Sequence, residues 1–179
     1  MARTSCGVDL VDLTVPDDGE EAEPRIARLR GAVRVLAPRA DQEEFSGRAA
    51  DTLPVADRDP FRTPYAVVHD GTAVGFGVLD VQGYLDEIAG EPGRAVLLRG
   101  FYIGAGWQRR GFGGAAIRAL PAAARALAPW AEVLMLTVNV RNEGAVRAYL
   151  AGGFVDEGRR YFGGGAGPQH VLRLELGAS

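Results

Sequence analysis

The chain is poor in several features that would each define a protein class. Its single cysteine, Cys6, cannot form an internal disulfide, which fits a reducing cytoplasm. As a lone residue near the start of the chain, it is expected to be incidental and not catalytic. No apolar run approaches the ~20 residues that a membrane span needs. Asp9 and Asp12 interrupt the first apolar stretch, which argues against a signal peptide. We therefore expect a cytoplasmic protein without a membrane partner.

An excess of positive charge is also missing. The formal net charge is −3 at pH 7, which argues against a general nucleic-acid binder and is compatible with a cationic substrate. Hydrophobic residues make up 47% of the chain and charged residues 24%, an ordinary globular composition. A length of 179 residues suffices for one domain with a substantial core and is short for two. We expect a single domain over residues 1–179.

A glycine-rich stretch in the middle of the chain reads Trp-Gln-Arg-Arg-Gly-Phe-Gly-Gly over residues 107–114. An apolar run precedes it and an alanine-rich run follows, so the expected order is strand, loop and long helix. Backbone amides at a helix start have no partner within the helix and can point at a phosphate, which glycines allow to approach closely. The stretch supplies two arginines and three glycines for this purpose, Arg109, Arg110, Gly111, Gly113 and Gly114. The residues alone predict a phosphate-bearing ligand.

Three other motifs fail at this stretch. Gly106 and Gly111 have the spacing of a Walker loop, but Phe112 and Gly113 stand where Lys and Ser/Thr are required. The dinucleotide pattern G-x-G-x-x-G fails because the last interval between glycines is too long. Residues 110–113 copy the start of an RNA-binding RNP1 strand, but the aromatic residue expected next is a glycine and the run continues as helix. An RNA-binding domain is therefore a weak rival.

The first half of the chain predicts a strand, two helices and a hairpin. A helical pattern begins at Glu20, with acids in its first turn, and ends at Pro38. Asp41 and Glu44 have the spacing of a capping box for a second helix. The Asp70-Gly71 pair between two β-rich runs predicts a hairpin. The turn and the irregular connections of this half are expected at 16–19, 53–60 and 85–93.

The second half predicts helices alternating with strands. Pro121 should kink or split the helix that follows the glycine-rich stretch. The strand 133–138 carries no charge and should be buried on both faces, and a short helix follows over 142–151. The glycine-rich segment 163–168 is expected to be a mobile loop that cannot pack. The class is α/β (α+β), a mixed, mostly antiparallel sheet with helices on both faces, in the order β-α-α-β-β-β-α-β-α-β-β.

Two motifs in this order resemble those of the GNAT N-acetyltransferase superfamily. Gln108, Gly111 and Gly113 form Gln-x-x-Gly-x-Gly, and the run from Asn142 to Phe154 reads Asn-x-x-Ala-x-x-x-Tyr-x-x-x-Gly-Phe. The resemblance implies the GNAT fold and an enzyme that transfers an acetyl group from acetyl-CoA to a primary amine by direct attack in a ternary complex, without a metal. A non-catalytic GNAT-fold module that senses acyl-CoA is the alternative.

Upstream motifs resemble the spermine/spermidine acetyltransferase branch of this superfamily. They comprise Pro-x-x-x-Gln-x-x-Phe over 38–45, Pro-Tyr-Ala over 64–66 and Val-Gly-Phe over 74–76. This likeness implies a small-molecule amine acceptor, with a polyamine as one candidate. Family habit also implies a homodimer, to which the last strands with their glycine-rich segment would contribute an edge.

The resemblance assigns roles along the second half. The pyrophosphate of acetyl-CoA would lie on the loop from Gln108 to Gly114, and backbone groups of Phe101, Tyr102 and Ile103 would hold the pantetheine arm. The next strand would splay away and open a slot for the cofactor, and Asn139 would either line this slot or end the strand as a turn residue. Asn142 would contact the cofactor and is also a good N-cap.

Tyr149 occupies the family's place for the general acid that protonates the leaving thiolate. Its reference pKa of about 10 lets it hold a proton at neutral pH. The alternative is a core tyrosine on an apolar helix face.

No residue stands out as the general base that an amine acceptor needs. The candidates are His69, His170, Asp80, Asp86, Glu87 and Glu143. Four acids of the second helical region would either attract a cationic substrate or form a solvated face, Asp41, Glu43, Glu44 and Asp51.

Overall fold

The computed structural model of the chain describes residues 7–15 and 22–177. Its strands are β1 (Asp9–Asp12), β2 (Arg62–His69), β3 (Thr72–Asp80), β4 (Ala95–Ile103), β5 (Val133–Asn139), β6 (Val155–Tyr161) and β7 (Gln169–Glu175). Its α-helices are α1 (Pro24–Val35), α2 (Glu43–Ser46), α3 (Ala49–Ala56), α4 (Leu85–Ile88), α5 (Phe112–Leu127) and α6 (Glu143–Ala151). Cys6 and the predicted turn at 16–19 lie outside the described residues.

The strands form one seven-stranded sheet in the order β1-β2-β3-β4-β5-β7-β6. All neighbours pair antiparallel except β4 and β5, which run parallel. Helices α5 and α6 pack on one face, and α1, α3 and α4 pack on the other. The predicted class, a mixed and mostly antiparallel sheet with helices on both faces, is confirmed. Within the described ranges no helix is long and apolar enough to cross a membrane.

The two parallel strands separate halfway along their length. Their ladder runs from Ala95↔Val133 to Leu98↔Leu136 and stops, although β4 continues to Ile103. Just beyond the last pair, Gly100 has a φ of 55° and the register between β3 and β4 shifts. Such a bulge bends a strand and increases its twist, so β4 turns away from β5. The gap between the strands is the predicted slot.

The hairpin of β2 and β3 turns at Asp70-Gly71 as predicted, but two helix starts differ from prediction. Helix α1 begins at Pro24, because proline is preorganised for the first helical position. Its first turn therefore contains none of the acids predicted there. The predicted capping box is wrong. Asp41 pairs with Arg39 at 3.0 Å and provides no cap, so its carboxylate is already engaged by a charged partner.

Two segments predicted as irregular contain helices. Helix α3 covers part of 53–60 and continues through Pro54, the sixth of its eight residues. Leu53 is fully buried against β2 and β3, so tertiary packing outweighs the local proline signal. Helix α4 occupies the start of 85–93 because Leu85 and Ile88 bury their side chains on the sheet.

Two expectations about the second half are also corrected. Helix α5 is not split at Pro121, since buried Ile117, Leu120 and Ala124 hold both of its halves against the sheet. The segment 163–168 does pack. The amide of Val140 donates to the carbonyl of Pro168 at 3.1 Å, and Nδ2 of Asn139 donates to the carbonyl of Ala166 at 2.8 Å, because a glycine-rich segment still offers backbone acceptors.

Candidate active site

An open cavity of about 490 Å³ lies where β4 and β5 separate, a volume typical of small-molecule sites. Helices α5 and α6 line it on one face of the sheet, and Gln42, Phe45, Ser46 and Tyr84 line it on the other. Eight predicted site residues line the cavity, Phe101, Tyr102, Ile103, Gln108, Arg109, Gly113, Asn142 and Tyr149. The other three predicted residues, Arg110, Gly111 and Gly114, lie in the adjoining loop and helix start. The cavity therefore passes through the sheet from one face to the other.

One end of the cavity is the start of α5. Gly111 is the N-cap residue with a φ of 87°, a conformation that favours glycine, and its carbonyl accepts the amide of Ala115 at 3.0 Å. Among the described residues the amides of Phe112, Gly113 and Gly114 find no acceptor. The first turn of α5 also lacks an acidic residue. Unpaired amides and the positive end of the helix dipole together favour an anion at this position.

Side chains hold this loop in place. The Nε2 group of Gln108 donates to the carbonyl of Ile103 at 2.9 Å and to Oε1 of Gln42 at 2.8 Å. Gln108 therefore ties the loop to the end of β4. The guanidinium of Arg110 lies over the ring of Trp107 at 5.2 Å, and Arg109 has a positive φ of 62°. The loop thus has a fixed shape around the unpaired amides.

A buried tyrosine lines the same cavity from α6. The ring of Tyr149 contacts Phe154 edge-on at 5.5 Å and Phe101 at 6.3 Å between centroids. Burial raises the pKa of Tyr149 above its ordinary value, so its phenol stays protonated at neutral pH. No described residue forms a hydrogen bond with its hydroxyl. The side chain combines the packing of a core tyrosine with a proton next to the cavity.

Two asparagines beside the cavity have structural partners. The Oδ1 atom of Asn142 accepts the amide of Ala145 at 3.3 Å, which confirms the predicted N-cap of α6. Asn139 is buried and ends β5. Its Nδ2 donates to the carbonyl of Ala166 at 2.8 Å, and its Oδ1 accepts the amide of Arg141 at 2.9 Å. Both asparagines line the cavity while they shape the backbone around it.

The opposite side of the cavity contains residues that the sequence argument missed. Arg99 donates through Nη1 to Asp80 at 2.8 Å and lies over the ring of Tyr84 at 5.4 Å. The hydroxyls of Tyr84 and Thr137 are 2.9 Å apart, and Thr137 donates to Oε1 of Gln169 at 2.9 Å. A charged residue inside the apolar run of β4 was the signal that could have drawn attention to Arg99.

The predicted base candidates do not meet in the cavity. His69 contacts the ring of Phe112, and His170 pairs with Asp156 at 2.6 Å. Asp80 is buried between two arginines. Neither histidine nor any carboxylate lines the cavity in the described ranges. The same ranges contain no group of three His, Cys, Asp or Glu residues arranged to hold a metal ion.

The acids predicted to attract a cation are mostly paired with arginines instead. Glu43 pairs with Arg48, and Glu44 pairs with Arg141 at 3.0 Å. These pairs neutralise much of the negative charge beside the cavity.

Comparison with known proteins defines the class to which this site belongs. The model of the acetyltransferase (GNAT) family matches residues 28–154. The uncharacterized N-acetyltransferase YbbJ of Bacillus subtilis (strain 168) is 30% identical over 124 residues, 69% of this chain and 77% of that protein. The chain belongs to the GNAT acetyltransferase family, which confirms the predicted family and its acetyl-CoA-dependent N-acetyltransferase activity class.

Solved structures show the same fold. The aminoglycoside acetyltransferase AAC(6')-Ib, in complex with paromomycin and acetyl-CoA, superposes with a TM-score of 0.68 at 21% identity, over 94% of this chain and 93% of that one. Spermidine N-acetyltransferase from Vibrio cholerae, in complex with CoA and spermine, gives a TM-score of 0.60 at 14% identity, over 94% and 95%. The predicted GNAT fold is confirmed.

Proposed function

We propose that the chain transfers an acetyl group from acetyl-CoA to a small primary amine, with both substrates bound together in the cavity between β4 and β5. The observation that carries this proposal is one continuous cavity with the unpaired amides of α5 at one end and Tyr149 on its wall. The related structures with acetyl-CoA and paromomycin, or with CoA and spermine, support a CoA thioester and an amine as the two ligands.

The start of α5 would hold the pyrophosphate. Its unpaired amides and the nearby arginines supply hydrogen bonds and positive charge to a doubly charged group. Beyond Leu98 the edge of β4 that faces β5 has lost its ladder partner, so its backbone is available to the amides of the pantetheine arm. The proposed cofactor residues are Phe101, Tyr102, Ile103, Gln108, Arg109, Arg110, Gly111, Gly113, Gly114 and Asn142. Gln108 and Asn142 act by positioning the loop and α6.

The proposed reaction is direct acyl transfer. The amine nitrogen attacks the thioester carbonyl, a carbon–nitrogen bond forms and the carbon–sulfur bond breaks. The nitrogen loses its proton to water, Tyr149 gives its proton to the departing sulfur, and the tyrosinate then regains a proton from water. Since burial raises the pKa of Tyr149, the proton moves only as negative charge develops on sulfur. A backbone amide of β4 would stabilise the oxyanion.

The proposed function does not distinguish among polyamines, aminoglycosides and amino acids as the amine acceptor. We also propose that residues 1–179 act as one catalytic domain, because the single sheet connects the first described strand with the last.

Release of the CoA thiol from acetyl-CoA, measured over a panel of primary amines, tests the proposed function. We expect release to depend on an amine and the N-acetylated amine to appear in equal amount. Acetyl-CoA should also raise the melting temperature, because a ligand that binds the native state stabilises it. A protein that acetyl-CoA stabilises but that acetylates no amine would support the binding module over the enzyme.

A further inference from the structure

The wall of the cavity opposite Tyr149 presents an arginine to the acceptor. We propose that the acceptor amine also carries a carboxylate, which Arg99 binds, so that the substrate class is an amino acid or a related amino carboxylate. This inference rests on the proposed function and narrows its acceptor. It follows from the position of Arg99, from the partners that fix its side chain, and from the charges on the cavity wall.

Arg99 lies where the two ligands would meet. It is the first residue of β4 after the last pair with β5, at the inner end of the gap. The anion-binding loop lies beyond Ile103, four residues further on, or about 13 Å along an extended strand. Arg99 contacts Asp80 and Tyr84 on the face of the sheet opposite α5 and α6. A group bound by Arg99 would therefore reach the thioester from the side opposite Tyr149.

The partners of Arg99 hold its guanidinium without using all of its donors. The buried carboxylate of Asp80 accepts from Nη1, and the ring of Tyr84 supports the guanidinium plane. Among the described residues Nε and Nη2 of Arg99 donate to no protein acceptor, and 30% of the side chain is exposed. Two remaining donors on a fixed, planar group match the two oxygens of a carboxylate.

The charges on the cavity wall select against a polycation. Within the described ranges the charged side chains that line the cavity are Arg99 and Arg109, and none is acidic. Other polar groups on the acceptor side are neutral, such as Gln42, Ser46 and Gln169. A polyamine would place several positive charges beside arginines, in a cavity whose described lining has no acidic side chain. An amine with a carboxylate instead brings a second anion to Arg99, whose partner Asp80 is shared with Arg62.

The test uses pairs of acceptors that differ in this one charge. Amino acids with small, aliphatic and aromatic side chains are each compared with their carboxamide, with spermidine as the polycation, in the acetyl-CoA thiol-release assay. We expect a higher kcat/KM for the carboxylate member of at least one pair, by roughly 10- to 100-fold for a charge-assisted pair, and poor turnover of spermidine. A uniform preference for carboxamides or spermidine would overturn the proposal and leave N-acetyl transfer intact.

Substitution of Arg99 separates recognition from structure. Arg99→Gln should raise KM for the carboxylate acceptor and leave KM for acetyl-CoA unchanged. The ratio of kcat/KM for the carboxylate acceptor to kcat/KM for its carboxamide should then fall close to one. Arg99→Lys should keep part of the preference for the carboxylate acceptor, because lysine keeps the positive charge but cannot form two parallel hydrogen bonds with a carboxylate. The matched control is Arg62→Gln. Arg62 also pairs with Asp80, at 3.2 Å, but lies outside the cavity, so its loss should not change the ratio. An unchanged ratio in Arg99→Gln would contradict the proposal.

Binding to the CoA-loaded protein tests the subsite independently of turnover. Amino acids should raise the melting temperature of the wild-type protein with CoA, and their carboxamides should not. If no amine is acetylated, the proposed function fails for every member of the panel. The change in melting temperature would still show whether the Arg99 subsite binds a carboxylate. Absence of the shift together with absence of a kinetic preference overturns the inference.

Discussion

Replacement of Tyr149 by phenylalanine tests the proposed proton donor with little disturbance of the fold. The substitution keeps the aromatic ring between Phe101 and Phe154 and removes only the hydroxyl. That hydroxyl has no hydrogen-bond partner among the described residues, so no protein donor or acceptor loses its partner. The free energy of unfolding should change by less than about 1 kcal/mol. Affinity for acetyl-CoA should also change little.

The expected loss of rate is much larger than the loss of stability. A positioned general acid contributes roughly 10²- to 10⁴-fold, which corresponds to about 2.7–5.4 kcal/mol of activation free energy. Burial keeps the phenol protonated at neutral pH, so the wild-type protein has this proton available in essentially every molecule. The variant must leave the thiolate unprotonated or take a proton from water.

The assay is turnover per folded molecule at saturating acetyl-CoA and amine, with the folded fraction taken from thermal unfolding. Tyr65→Phe is the matched control, because it removes the hydroxyl of a partly buried tyrosine outside the main cavity. The control should keep its turnover. If Tyr149→Phe also keeps wild-type turnover, the tyrosine has no part in the mechanism, while the cofactor loop is unaffected by that result.

Further predictions concern binding, pH, charge and assembly. Gly113→Val should abolish the rise in melting temperature with acetyl-CoA, because its branched side chain would occupy the anion's place. Burial raises the pKa of Tyr65 to about 12, so its contribution to stability should be complete below pH 10 and lost as the pH rises through 12, in alkaline unfolding curves. Asp80→Asn leaves two arginines without their buried partner and should cost about 3 kcal/mol in urea unfolding. The homodimer, with β6 as a sheet edge, stays a prediction; a clean monomer by light scattering at high protein concentration would contradict it.

Features set by local chemistry were predictable from the sequence. The hairpin at Asp70-Gly71 and the N-cap Asn142 depend on short-range backbone preferences. The helix start at Gly111 was found in the same way, since glycine permits the backbone conformation that the loop adopts. These segments also carry the family motifs. Sequence and structure therefore agree best at the cofactor end of the cavity.

The acceptor side could not be predicted because it depends on contacts between distant segments. Asp80, Arg99 and Thr137 meet around Tyr84 only after three strands are aligned in the sheet. The capping box failed for a local reason instead, since Arg39, two residues away, pairs with the carboxylate of Asp41. Helix α3 persists through its proline because burial stabilises it. In each case a tertiary or charged contact outweighs a local signal.

A crystal structure of the protein with CoA tests the central claim most directly. We predict the pyrophosphate on the amides at the start of α5, the pantetheine arm in the gap between β4 and β5, and the sulfur beside the hydroxyl of Tyr149. CoA bound outside this gap, or with its sulfur directed away from Tyr149, would contradict the account.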